Sequence, residues 1–120
     1  MTAGKNHSMT ESKRIQSEIL TAWSAFLDLL ETGDLERLEQ AATTALLDRL
    51  QADEELRRPE RLRQLSSNWR RWDIRFGPPW TGTDGRETVV ATAGPEGKEH
   101  RFTFVRTAAG WMLDRWEPGL

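Results

Sequence analysis

Two hydrophobic periods divide the chain. Between Glu11 and Thr32, the residues Ile15, Ile19, Trp23, Phe26 and Leu30 recur at intervals of three and four, one apolar stripe along a helix. Ser8 and Glu11 have the spacing of a capping box, in which two side chains satisfy free amides at a helix start. Gly33 suits the left-handed position that ends a helix, and Asp34 can cap the next. Leu35, Leu38, Ala42, Ala45, Leu46 and Leu50 keep the helical period and predict a second helix from Leu35 to about Leu50. From Gln51 to Arg58 charge dominates and the period weakens, as in a loop. Pro59 favours a first helical position, and Leu62 and Leu65 predict a short third helix ending near Ser66 and Ser67.

From Trp69 onward the period falls to two. Trp72, Ile74 and Phe76 alternate with Arg71, Asp73 and Arg75, which predicts a half-buried strand. Gly77 to Gly85 reads as a loop, because prolines cannot donate to a ladder and glycines break extended structure. Further strands are expected at Glu87 to Ala93, Lys98 to Thr107 and Trp111 to Trp116, separated by the turn Gly94-Pro95-Glu96-Gly97 and the hairpin Ala108-Ala109-Gly110. A three-residue loop would pair Thr107 with Trp111, and a four-residue loop Arg106 with Trp111. The second is preferred, because it sets Phe104 opposite Leu113 with Phe102 beside them. The expected class is α+β: a long first helix, a second and a short third, packed on a curved four-stranded antiparallel sheet.

Composition narrows the class further. At 120 residues the chain is one domain, taken as a polar tail over 1–10 and a single unit over 11–120. Met9 offers an alternative start to Met1. Without cysteine there is no disulfide framework, thiolate metal site or thiol nucleophile. No run approaches a membrane span and the start lacks a secretory apolar region, so a cytoplasmic protein is expected, with no membrane partner. The formal net charge of −2 argues against a dedicated nucleic-acid binder.

The order of these elements resembles the nuclear transport factor two-like superfamily, also called cystatin-like, as a small bacterial-type member. The resemblance rests on the long amphipathic helix, the turn Thr32-Gly33-Asp34-Leu35, and strands carrying Phe102-Thr103-Phe104-Val105-Arg106 and Gly110-Trp111-Met112-Leu113-Asp114. It spans about Ser12 to Trp116 and implies a curved sheet wrapped around the first helix, leaving a cone-shaped cavity. Enzymes of that superfamily commonly place an acidic base, a tyrosine or a histidine in the cavity. This chain has no tyrosine, and alternation turns Asp73 away from Trp72 and Ile74.

The candidate chemistry is accordingly sparse. His100 shares parity with Phe102 and Phe104 and is the one weak catalytic candidate, a general acid or base at the mouth of the apolar face. Trp72, Phe76, Trp80, His100 and Phe102 are the candidate ligand-binding residues. Spacing suggests no metal ligands, and no cofactor is expected. The favoured function is a non-catalytic cavity-bearing domain that binds a small apolar ligand or a protein partner. One alternative is a cofactor-independent cyclase or isomerase using His100 with Arg106 or Arg115. Another is an electrostatic binding module using the arginine-rich segment Arg57 to Arg75. A homodimer is also expected, built on the sheet face opposite the helices from Arg71, Asp73, Arg75, Thr103, Val105, Met112, Asp114 and Trp116, with Thr88, Val90 and Thr92 as its continuation.

Overall fold

The computed structural model describes residues 9–119, so Ser8 of the expected capping box lies outside the described residues. Helix α1 (Met9–Glu31) buries Ile15, Ile19, Trp23, Phe26, Leu27 and Leu30, the predicted stripe. Gly33 ends it at φ 73°. A Cβ there would lie 2.9 Å from the Arg63 guanidinium and 3.0 Å from the Pro59 ring, so glycine answers both a backbone and a space requirement. Asp34 accepts from the Glu36 amide, as its capping role predicts.

The expected second helix is broken in two. Leu35–Gln40 is a 3-10 helix, and α2 (Thr44–Gln51) starts afresh with Thr43 as its cap. Between them the chain leaves the helix to bond the last strand: Thr43 N–H donates to Leu113 O at 3.0 Å, and Leu113 N–H donates to Ala41 O at 2.9 Å. These bonds to a distant strand outweigh a local period that would have run straight through.

Helix α3 (Pro59–Trp69) runs past the serines expected to end it. Ser66 is buried in the helix contact, where its hydroxyl donates to Leu27 O at 2.8 Å and so leaves no polar group unsatisfied. The extension brings Trp69 into the core. The predicted strand from Trp72 consequently shrinks to β1 (Arg75–Phe76), because Arg70 to Trp72 are still closing turns onto α3.

The sheet has five strands rather than four. The extra one, β2 (Trp80–Thr81), lies inside the predicted loop and pairs with β3 (Glu87–Ala93). The remaining strands are β4 (His100–Thr107) and β5 (Gly110–Glu117). The order is β1-β3-β4-β5, all antiparallel, with β2 continuing the β1 edge along β3. Arg106 pairs with Trp111 and Phe104 with Leu113, the preferred hairpin register.

That register shifts further down the hairpin. Between Phe104 and Thr103 a bulge inserts Asp114, so Thr103 pairs with Arg115 and Phe102 with Trp116. The slip reverses the parity of the end of β5. Trp116, expected on the outer face, instead turns inward and sets its ring 5.0 Å from Trp69.

The inner face carries Phe76, Ala91, Phe102 and Trp116 in one row and Val89, Phe104 and Leu113 in the next. Trp23 of α1 meets this layer edge-on, 4.7 Å from Phe102 and 6.2 Å from Phe104, and stacks on Trp69 at 5.8 Å.

Candidate functional site

His100 opens β4 at the end of the inner face. Its ring lies 4.7 Å from Trp72 and 6.3 Å from Phe102, and it stacks on Trp116 at 6.1 Å. The Trp116 indole N–H donates to His100 Nδ1 at 3.0 Å. Accepting that bond requires a lone pair on Nδ1, so the imidazole is neutral with its proton on Nε2. Burial among these rings pushes the His100 pKa below its ordinary value. Trp116 was not legible as a partner, because only the bulge brings it to this side.

Of the other residues singled out from sequence, Trp72 and Phe102 join His100 in this cluster, with Phe102 fully buried. Phe76 lies in the same inner row as Phe102, two strands away. Trp80 is separated from them, since it pairs with Thr88 on the outer face and is 51 % exposed.

The proposed anion stabilisers do not converge on His100. Arg106 lies toward the opposite end of β4, bonded to Glu87 at 2.8 Å and positioned over Trp111. Glu87 holds that guanidinium more firmly protonated. Glu18 completes the group by accepting from the Trp111 indole at 3.0 Å. Arg115 lies on the outer face. No cluster of three metal-binding side chains occurs among the described residues.

Most of the space beneath the sheet is occupied by side chains, with a cleft of about 110 Å³ left between Ile15, Ile19, Phe76 and Val89. Phe26, Phe102 and Phe104 are fully buried with Trp23 and Trp69 between them. The gap bounded by Phe26, Leu46, Leu62 and Leu113 holds about 10 Å³. That is near the minimum for a single water.

The arginine-rich segment is dispersed rather than aligned. Arg58 pairs with Glu55 and Glu60, Arg57 with Glu54, and Arg70 with Asp28 and Glu31. Arg63 reaches back to Thr32 O. Arg75 alone of the segment joins the outer face in a paired strand.

Open concave surface is found over Glu18, Ala22, Arg106 and Trp111, about 430 Å³, and on the outer face of the sheet. Its three rows follow from the register. The first is Arg75, Thr92, Arg101 and Glu117; the second is Val90, Thr103 and Arg115, with Asp114 at the bulge; the third is Trp80, Thr88, Val105 and Met112. A groove of about 290 Å³ runs across it between Trp80 and Arg101, and a second depression of about 450 Å³ lies over Arg75, Thr92 and Arg101. Arg101 approaches Glu117 at 4.0 Å, whereas Arg75 and Arg115 have no ion pair among the described residues. Asp114 accepts from the Thr43 hydroxyl at 2.7 Å.

No family model, curated protein or solved structure matches the chain. Among the described residues, no helix is long and apolar enough to cross a membrane.

Proposed function

We propose that this chain is a non-catalytic protein-binding domain whose working surface is the outer face of its sheet. The observation that carries the reading is the contrast between the two sides. The inner side is largely filled by aromatic and aliphatic side chains, leaving about 10 Å³ at the gap beside α3 and about 110 Å³ beside Phe76 and Val89. The outer side presents an open amphipathic surface with Trp80, Val90, Met112 and charges of both signs. Interfaces are enriched in aromatic residues, methionine and arginine, and this face contains all three.

The same contrast weighs against a container for apolar small molecules, which needs a cavity of several hundred Å³. It also weighs against the cyclase or isomerase reading, since Trp116 is the polar partner found for His100 and Arg106 and Arg115 lie elsewhere. Membership of the nuclear transport factor two-like superfamily remains part of this proposal. Its support is the succession of a long helix, shorter helices and an antiparallel sheet.

Two binding measurements test the reading. Titration with dodecanoate or an anilinonaphthalene probe, followed by tryptophan emission, is expected to give no saturable binding. A benzophenone side chain placed at Thr103 is expected to cross-link to a protein chain, whereas one at Leu20 on α1 is not. Saturable binding of the apolar probe that persists in Val90→Arg would overturn the proposal, because it would put the working site inside.

A further inference from the structure

We infer that His100 and Trp116 form a pH-operated latch on the last segment of β5, which is held to the inner face while the imidazole is neutral and let go when the imidazole is protonated. The consequence for recognition rests on the reading of the outer face as a protein-contact surface, because the same segment carries Arg115 and Glu117 of that face.

The segment is a separate piece of sheet. The bulge at Asp114 interrupts the ladder between Phe104 and Thr103, and three pairs follow it: Thr103 with Arg115, Phe102 with Trp116 and Arg101 with Glu117. Pro118 comes next and has no N–H to extend the ladder. Short stretches near a chain end open more readily than the sheet they join. Side-chain ties therefore decide whether this one stays closed, and Trp116 supplies them. Its ring meets Trp69 edge-on at 5.0 Å, and its indole N–H donates to His100 Nδ1 at 3.0 Å. Its carbonyl accepts from Arg49 at 2.8 Å along the sheet edge.

The indole bond exists in one protonation state only. Neutral imidazole offers an acceptor at Nδ1, whereas imidazolium has two donors and no acceptor, and an indole only donates. Protonation therefore turns two N–H groups toward each other where both side chains are half-buried. The imidazolium has a second partner, since the Trp72 ring lies 4.7 Å away and a π face attracts a cation. The indole is left to find water. Acid thus commits the histidine to Trp72 and releases the tryptophan.

No charged group overrides this choice. From β3, uncharged Ala93 pairs with His100. On β4, Glu99 and Arg101 flank it in sequence. From β5, Glu117 lies opposite Arg101 and 4.0 Å from its guanidinium. After α3, Arg71 and Asp73 flank Trp72, and Arg70 is taken by Asp28 and Glu31. None of these is ion-paired with His100 among the described residues. Burial is what sets the ring's pKa, and it lowers it below the ordinary 6.5.

Proton–nitrogen NMR from about pH 7.5 to about pH 5 tests the latch, with the Trp116 indole and the amides of Arg115 to Glu117 as reporters. The indole resonance is expected to titrate together with the His100 imidazole. Solvent exchange at those amides, corrected for its intrinsic pH dependence, should rise by roughly tenfold, while Val89 and Phe104 keep their protection. His100→Gln keeps an oxygen for the indole and does not titrate, and Trp116→Phe has no N–H to lose, so neither variant should show the acid step. Circular dichroism confirms the fold of each. An equal step in either folded variant overturns the latch. So does exchange that rises across the whole sheet together, a segment that stays closed while His100 titrates, or a ring that stays neutral until the fold is lost. None of these readouts involves a partner, so a failed latch leaves the contact reading standing, and the Thr103 cross-link at neutral pH judges that reading separately.

Discussion

At the scale of single residues, the fold depends on how each polar atom near the core finds a partner. Ser66 donates across to Leu27 O, the Trp111 indole donates to Glu18, and the Trp116 indole donates to His100. Among the described residues no buried side-chain nitrogen or oxygen is left without a bond. Trp23 packs against Phe26, Trp69, Phe102 and Phe104 in this layer, and Trp23→Ala should cost roughly 3–5 kcal/mol in a urea melt, the penalty for emptying an aromatic site. A parent-like midpoint would contradict its central position. His100 makes stability depend on pH. Unfolded, it titrates near its ordinary 6.5; folded, burial holds it lower. Below 6.5 the unfolded chain therefore binds more protons, so stability rises with pH. The full contribution is present above about 6.5 and declines as pH falls toward the folded pKa. In His100→Gln the amide oxygen can still accept the indole N–H but does not titrate. Urea melts between neutral and mildly acidic pH should show a shallower pH dependence in this variant than in the parent. Identical slopes would show that the His100 environment does not perturb its protonation.

At the scale of elements, the break at Ala41 to Thr43 is a device that covers the sheet edge. Paired with Leu113, this segment occupies part of the outer side of β5 and leaves fewer free edge groups there. Thr43 then caps α2 and donates to Asp114, tying the break to the bulge. Thr43→Ala removes both bonds and should cost about 1–2 kcal/mol. Equilibrium denaturation measures this, and a loss below a few tenths would show that the junction is held by its backbone alone. What was legible follows from range. The α1 stripe, the alternation of β3 and β4 and the Arg106–Trp111 hairpin are encoded by residues close in sequence. The interruption of the second helix was not, because its cause is Leu113, some seventy residues away. The short β2 was hidden by the prolines before it and is held by its partner β3. The bulge was equally hidden. Asp114-Arg115-Trp116 alternates acceptably in either parity, and only the rings of Trp69 and His100 select the one that buries Trp116.

At the scale of the whole molecule, the chain divides its aromatic residues between two tasks. Five of the six tryptophans belong to the interior or its margin: Trp23, Trp69, Trp72, Trp111 and Trp116. Trp80 is the exception, half exposed on the far side of the sheet. Its sequence setting, after two prolines in a predicted loop, marked it as unusual, but which side of the sheet it would occupy depended on the unforeseen pairing with Thr88. The interior thus serves stability, and the outer face carries the surface left for recognition. Methyl NMR tests this division most directly, because Val89 and Leu113 report from the inner face and Val90 and Met112 from the outer. An added apolar ligand should shift none of the four, and a water-soluble paramagnetic agent should broaden Val90 and Met112 while sparing the buried Val89 and Leu113. Saturable ligand-induced shifts at Val89 and Leu113 would contradict the account.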